Sequence, residues 1–188
     1  MYGFQNEDFL KTLNGAVAQI GEINRIADKV SDLGYKNIYL VGTGGTYAII
    51  SPLAYMLKTN SALVWYHEIA AELLAAKPRS LTRDSLFITA SLSGTTKETI
   101  AAAEYARSMG ATVISFVGDR TAPLAAVSDY VVENAACNDN LVEELHIQFF
   151  ALGARLMLKN GEFPQYERFV ETLRKMPEVL LKVREQND

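Results

Sequence analysis

An α/β fold with a parallel sheet is predicted for this chain by the order of its apolar patterns. Short β-rich runs alternate with longer segments of helical periodicity, and each strand-like run is followed directly by a helix-like one. Two loops rich in Ser, Thr and Gly also stand where a buried strand should enter a helix. They are Gly42-Thr43-Gly44-Gly45-Thr46-Tyr47 and Ser91-Leu92-Ser93-Gly94-Thr95-Thr96. With 188 residues, 49% of them hydrophobic, the chain can bury the core of one globular domain. The expected architecture is a three-layer α/β/α sandwich around five parallel strands, with right-handed crossovers.

Phe9, Leu13, Val17, Ile20, Ile23 and Ile26 recur at helical spacing through residues 6–33, and Gly34 is a natural stop. The first strand is expected at 37–41 and the helix after the first loop at about 46–58. A second strand reads at 62–66, followed by a helix containing Glu68 to Ala76. The third strand, 85–90, enters the second loop, and its helix runs from Thr96 to Met109 before Gly110. Strands at 112–117 and 130–133 complete the set. A strongly apolar helix from about Asn140 to Leu158 carries more hydrophobic residues than one core-facing stripe needs, so a partner domain or subunit is expected to cover the rest. A last amphipathic segment, Tyr166 to Arg184, contains Pro177, expected to interrupt it, and leads into a polar end resembling the start of a linker.

Net charge is −4 and the basic residues are scattered, which argues against nucleic acid as a partner. The single Cys137 excludes an internal disulfide and a cysteine-based zinc site. No N-terminal apolar segment follows a basic start, and no apolar stretch approaches ~18 residues, so a soluble cytoplasmic protein is expected.

Both loops suit an anion. A helix N-terminus offers unpaired N–H groups and the positive end of the helix dipole, and nearby hydroxyls add donors. Neither loop ends in the Gly-Lys-Ser/Thr of a triphosphate-binding loop. In the first, Tyr47 occupies the last glycine position of a dinucleotide fingerprint. The second places Ser91, Ser93, Thr95 and Thr96 within six residues, and Thr95 with Glu98 can form a capping box. Together the loops suggest a phosphate monoester held between neighbouring crossovers, at the carboxyl ends of the strands.

The pattern Ser91-x-Ser93-Gly94-x-Thr96 leading into Glu98-Thr99, with the first loop before it, resembles the sugar isomerase (SIS) domain of phosphosugar-binding proteins, over nearly the whole chain. The resemblance implies that Ser91, Ser93 and Thr96 bind a sugar's terminal phosphate and that Thr46, where Ser is commoner, contributes from the first loop. Leu92 stands where some members have Gln, so only its backbone N–H carries over. Gly44, Gly45, Glu72 and Asn140 are further candidates for the substrate site, with Glu72 expected to brace the adjacent phosphate loop.

Within the family the closest likeness is to the N-terminal half of two-SIS proteins, the fructoselysine-6-phosphate deglycases and the isomerase part of glucosamine-6-phosphate synthase. Asn140 to His146 resembles the deglycase pattern. The implied substrate is a ketosamine or hexose 6-phosphate, with no metal or redox cofactor. An aldose–ketose isomerase, an aminosugar-phosphate synthase or deaminase part, and a non-catalytic sugar-phosphate sensor stand as rivals. A homo-oligomer, or packing against a second SIS domain, is expected. The implied division is a helical segment 1–36, the phosphosugar-binding domain 37–160 and a C-terminal helix 161–188.

Proton transfer at C1 and C2 of such a sugar needs a base within ~3 Å. The key glutamate of the relatives lies in their second domain, and the matching place here holds Lys58-Thr59. Glu144 and His146 are the catalytic candidates, with Glu68, Glu72 and the more remote His67 beside them. Glu144 and His146 lie about 200° apart on a regular helix, so they cannot both face one site unless its first turn is irregular.

Overall fold

The computed structural model describes residues 6–134 and 141–186. The expected sheet is present: β1 (Asn37–Gly42), β2 (Trp65–Ile69), β3 (Ser85–Ser91), β4 (Thr112–Val117) and β5 (Tyr130–Glu133) pair in parallel in the order β2-β1-β3-β4-β5. β3 is buried along its whole length, as a strand covered by helices on both faces must be. One helical layer holds α2 (Ile20–Leu33), α3 (Gly45–Asn60) and α7 (Leu141–Lys159). They pack on Ile38, Leu40, Ile88 and Phe116. The other holds α4 (Ala70–Ala76), α5 (Lys97–Ser108) and the short α6 (Pro123–Ala126), on Tyr39, Val41, Phe87 and Val113. No helix among the described residues is long and apolar enough to cross a membrane.

The N-terminal pattern over 6–33 is not one helix. It divides at Gln19 into α1 (Asn6–Ala18) and α2, and the Gln19 amide turns back to Ala16 at 3.2 Å. The two halves cover different surfaces. Phe9, Leu13 and Ala16 of α1 join Ile147 in a small satellite core, whereas Ile20, Ile23 and Ala27 of α2 enter the main one. The Gln19 side chain at the break accepts from Gln148 Nε2 at 3.2 Å.

β2 lies three residues later than its apolar run suggests. Glu162 takes hydrogen bonds from Ser61 Oγ and the Ala62 amide, and Ser61 Oγ in turn accepts from the Leu63 amide, so this stretch is held off the ladder. Glu68 is therefore a strand residue. Pro177 does not interrupt the last helix: α8 (Tyr166–Glu185) runs through it. The proline lacks the amide that Leu173 O would accept. Packing of Met176, Leu180 and Leu181 on the α1 satellite core carries the helix past that loss.

α7 corrects a second expectation. Its apolar excess is covered inside this chain, since Leu145, Ile147, Phe149, Leu152, Leu156 and Met157 are all at most 1% exposed. α1, α2, α3 and α8 surround it, so its composition alone is no argument for a partner. What remains open is a groove of about 430 Å³ between α3, α7 and the start of α8, lined by Pro52, Tyr55, Met56, Phe150, Phe163 and Phe169.

Candidate functional site

β1 sends its crossover to one side of the sheet and β3 sends its own to the other, so the order reverses between these two adjacent strands. Their ladder ends at Val41 opposite Thr89, where Thr89 Oγ1 donates to Val41 O at 2.8 Å. Beyond that pair the strands part into the two hydroxyl-rich loops. A crevice at the carboxyl ends of strands, at a reversal of order, is where α/β sheets bind ligands.

The second loop crosses from β3 to α5 in five residues, Leu92 to Thr96. Ser91 is 4% exposed, and its Oγ lies 3.0 Å from Thr96 Oγ1, so Thr96 is the outward end of this pair. Ser93 is exposed. Its Oγ accepts from the Thr95 amide at 3.2 Å and from Thr95 Oγ1 at 2.9 Å, which leaves its own proton to donate outward. Thr95 is thus engaged with Ser93, and the expected capping box with Glu98 does not form: the N-cap of α5 is Thr96 and no side chain caps it. The first-turn amides of α5 are left with no acceptor inside the helix, the condition an anion exploits. Leu92 O accepts the Gly118 amide at 2.9 Å and Gly94 O accepts the Leu124 amide at 3.0 Å, so the loop is sewn to the end of β4 and to α6. α6 was unexpected from the sequence, although Pro123 at its first position is a helix-start signal.

The first loop is built differently. Gly42 ends β1, and a Cβ there would stand 2.4 Å from the Tyr47 amide nitrogen, so α3 starts on top of the strand end. Gly44, at φ +55°, is the N-cap of α3, and Gly45 is its first residue; both are exposed. Thr46 Oγ1 donates to Thr43 O at 2.9 Å and accepts from the Thr43 amide at 3.1 Å. That hydroxyl braces its own loop, and what the first loop presents is its backbone. Thr43 Oγ1 reaches across to Thr99 Oγ1 of α5 at 3.0 Å, the one hydrogen bond between the two loop regions among the described residues. Both threonines stand in the two sequence motifs, but neither carries an expected role there. Thr99 follows Thr96 by three residues and so lies on the same helix face, a signal that could have found it.

None of the acid–base candidates is hydrogen-bonded to the second loop among the described residues, and the two histidines lie against the first turns of α3 instead. Glu144 is fully buried in the first turn of α7, and His146 is half-buried near Phe150, its ring centroid 5.9 Å from that ring. Burial lowers the His146 pKa, against the opposing pull of Glu143 and a backbone hydrogen bond at Ile49. His67 stacks on Tyr47 at 4.0 Å between ring centres, and its Nε2–H donates to Tyr47 O at 3.0 Å. Burial lowers its pKa as well, partly countered by that bond and by Glu68. Glu72 is exposed at the start of α4 and makes no hydrogen bond to either loop, so the expected brace is absent. Lys58 and Thr59 are exposed at the far end of α3, about 18 Å from Thr46 at ~1.5 Å per residue. Asn140 lies outside the described residues. Among those described, no cluster of three His, Cys, Asp or Glu could hold a metal ion.

The family model described as SIS domain matches residues 34–157. Fructosamine deglycase FrlB of Bacillus subtilis (strain 168) is 31% identical over 153 residues, covering 78% of this chain and 46% of the relative. Among solved structures, a candidate phosphosugar isomerase of Salmonella typhimurium LT2 superposes with a TM-score of 0.81 at 26% identity, over 89% of this chain and 52% of that one. The C-terminal domain of glucosamine-fructose-6-phosphate aminotransferase from Francisella tularensis shares the fold, with a TM-score of 0.77 at 15% identity over 95% of this chain and 56% of that one. The chain thus spans about half the length of the curated relative it matches.

Proposed function

This chain belongs to the SIS domain family, and we propose that its crevice binds a ketosamine 6-phosphate as one half of a cytoplasmic two-SIS deglycase that releases an amine from a sugar 6-phosphate. The observation that carries the reading is the second loop. Ser93 has a proton to donate, Thr96 is the outward end of a hydroxyl pair, and the α5 N-terminus that follows them has no side-chain cap. The first loop supplies the backbone around Gly44 and Gly45, braced by the Thr46 hydroxyl. The 31% identity to a fructosamine deglycase supports the choice of substrate class. An aldose–ketose isomerisation is the second reading, favoured by the 26% identical candidate phosphosugar isomerase. Product analysis on the whole polypeptide separates the two.

Ser93→Ala is expected to cost about 1.5 to 3 kcal/mol in fructose 6-phosphate binding, the worth of a charge-assisted hydrogen bond. Calorimetry is the measurement. Unchanged affinity in Ser91→Ala, Ser93→Ala and Thr96→Val alike would remove the loop as the phosphate site.

Association belongs to the same proposal. The apolar groove between α3, α7 and α8, with Tyr55 67% exposed at its edge, suits a second SIS unit, from another copy or from the rest of the polypeptide. Light scattering at ~0.1 mM is expected to report a dimer or larger, and Tyr55→Glu to shift it towards monomer. A monomer that binds no apolar dye would contradict this.

A further inference from the structure

The two loops belong to crossovers that leave the sheet in opposite directions, so nothing in the ladder above Val41 and Thr89 sets the distance between their tips. Yet a phosphosugar addressed by both helix N-termini needs that distance held. The described contact that spans the gap is the bond between Thr43 Oγ1 and Thr99 Oγ1. Thr99 is 1% exposed, so its hydroxyl is desolvated and has Thr43 as its hydrogen-bond partner. Thr43, half-buried, is further fixed from its own side, because its amide and carbonyl are both bonded to the Thr46 hydroxyl. Thr99 lies one turn beyond Thr96, on the helix that carries the phosphate-facing amides. A rigid path therefore runs from Thr46 through Thr43 and Thr99 to the N-terminus of α5.

We infer that the Thr43–Thr99 hydroxyl pair is a positioning element of the phosphosugar site, holding the first loop at the spacing at which it meets the sugar while the second loop holds the phosphate. The inference rests on the phosphosugar reading of the crevice. Neither hydroxyl is a catalytic group. A buried hydroxyl pair can be replaced by two methyl groups without opening a cavity, so the fold survives its loss better than the spacing does.

The test uses two probes, fructose 6-phosphate and inorganic phosphate. Thr43→Val and Thr99→Val are each expected to raise Kd for fructose 6-phosphate about five- to tenfold, the range of one neutral hydrogen bond. Inorganic phosphate, which needs the second loop alone, should shift by less than about twofold in an NMR titration. The double variant should be no weaker than either single one beyond about twofold, because one bond has been removed in all three. Thr99→Ser, which keeps the hydroxyl, should return the affinity to near its starting value. Should both valine variants bind fructose 6-phosphate normally while Ser93→Ala does not, the positioning role falls and the phosphate site stands. Equal loss for both probes, with lower melting temperature and no rescue by Thr99→Ser, would mark the pair as structural only and overturn the inference. If Ser91→Ala, Ser93→Ala and Thr96→Val also leave binding unchanged, the phosphosugar reading of this crevice fails, and the inference fails with it.

Discussion

Gly94→Ala is expected to lose phosphosugar binding and to lower stability by about 2 to 5 kcal/mol. Two costs add. Gly94 sits at φ +61°, a left-handed conformation worth ~1 to 2 kcal/mol against any residue with a Cβ. That Cβ would also stand 2.4 Å from the Ala122 Cβ, and overpacking of this kind costs ~1 to 3 kcal/mol. The displaced atoms are those of the loop, because Gly94 O accepts the Leu124 amide and its own amide bonds to Ser91 O. Gly15→Ala in α1, where an added Cβ meets nothing within 4 Å, is the control and should stabilise by ~0.5 to 1 kcal/mol. Urea denaturation with calorimetry reads both. A Gly94→Ala protein with the original midpoint and affinity would show that the loop does not need its tight contact with α6.

The second large effect concerns chemistry. This chain alone should bind fructose 6-phosphate yet break down a ketosamine 6-phosphate ~10² to 10⁴-fold more slowly than the whole polypeptide, the usual contribution of a general acid–base group. Glu144 is buried and Glu72 is exposed without contact to either loop. His67 is engaged with Tyr47, and Lys58-Thr59 end α3 at the wrong pole. Efficient turnover by the isolated chain, abolished by Glu144→Gln or His146→Ala, would place the chemistry here instead.

The strands β1, β3 and β4 are readable from the sequence to within a residue, because parallel strands buried on both faces appear as unbroken apolar runs. β2 is less so. As an edge strand it is only half-buried, and its start is decided by Glu162, a residue about a hundred positions away that holds Ser61 and Ala62. The break at Gln19 is likewise a tertiary matter, since the helical period continues through it while the surfaces being covered change. The place of the two loops is legible, because strand, loop and helix follow each other in the chain. Roles inside them are not. Hydroxyls that look equivalent in sequence divide into one braced inward at Thr46, one facing outward at Ser93, and a bridge at Thr43 and Thr99. That division depends on which partner each rotamer meets across the crevice.

Locating the phosphorus atom of bound fructose 6-phosphate, in a crystal of this chain soaked with the sugar, tests the central claim most directly. Phosphate oxygens are expected within hydrogen-bond distance of Ser93 Oγ and of the first-turn amides of α5, with the sugar leaning towards Gly44 and Gly45. Density for the phosphate elsewhere, in the apolar groove between α3, α7 and α8 or at the edge of β5, with the Ser91 to Thr96 loop vacant at saturating sugar, would contradict it.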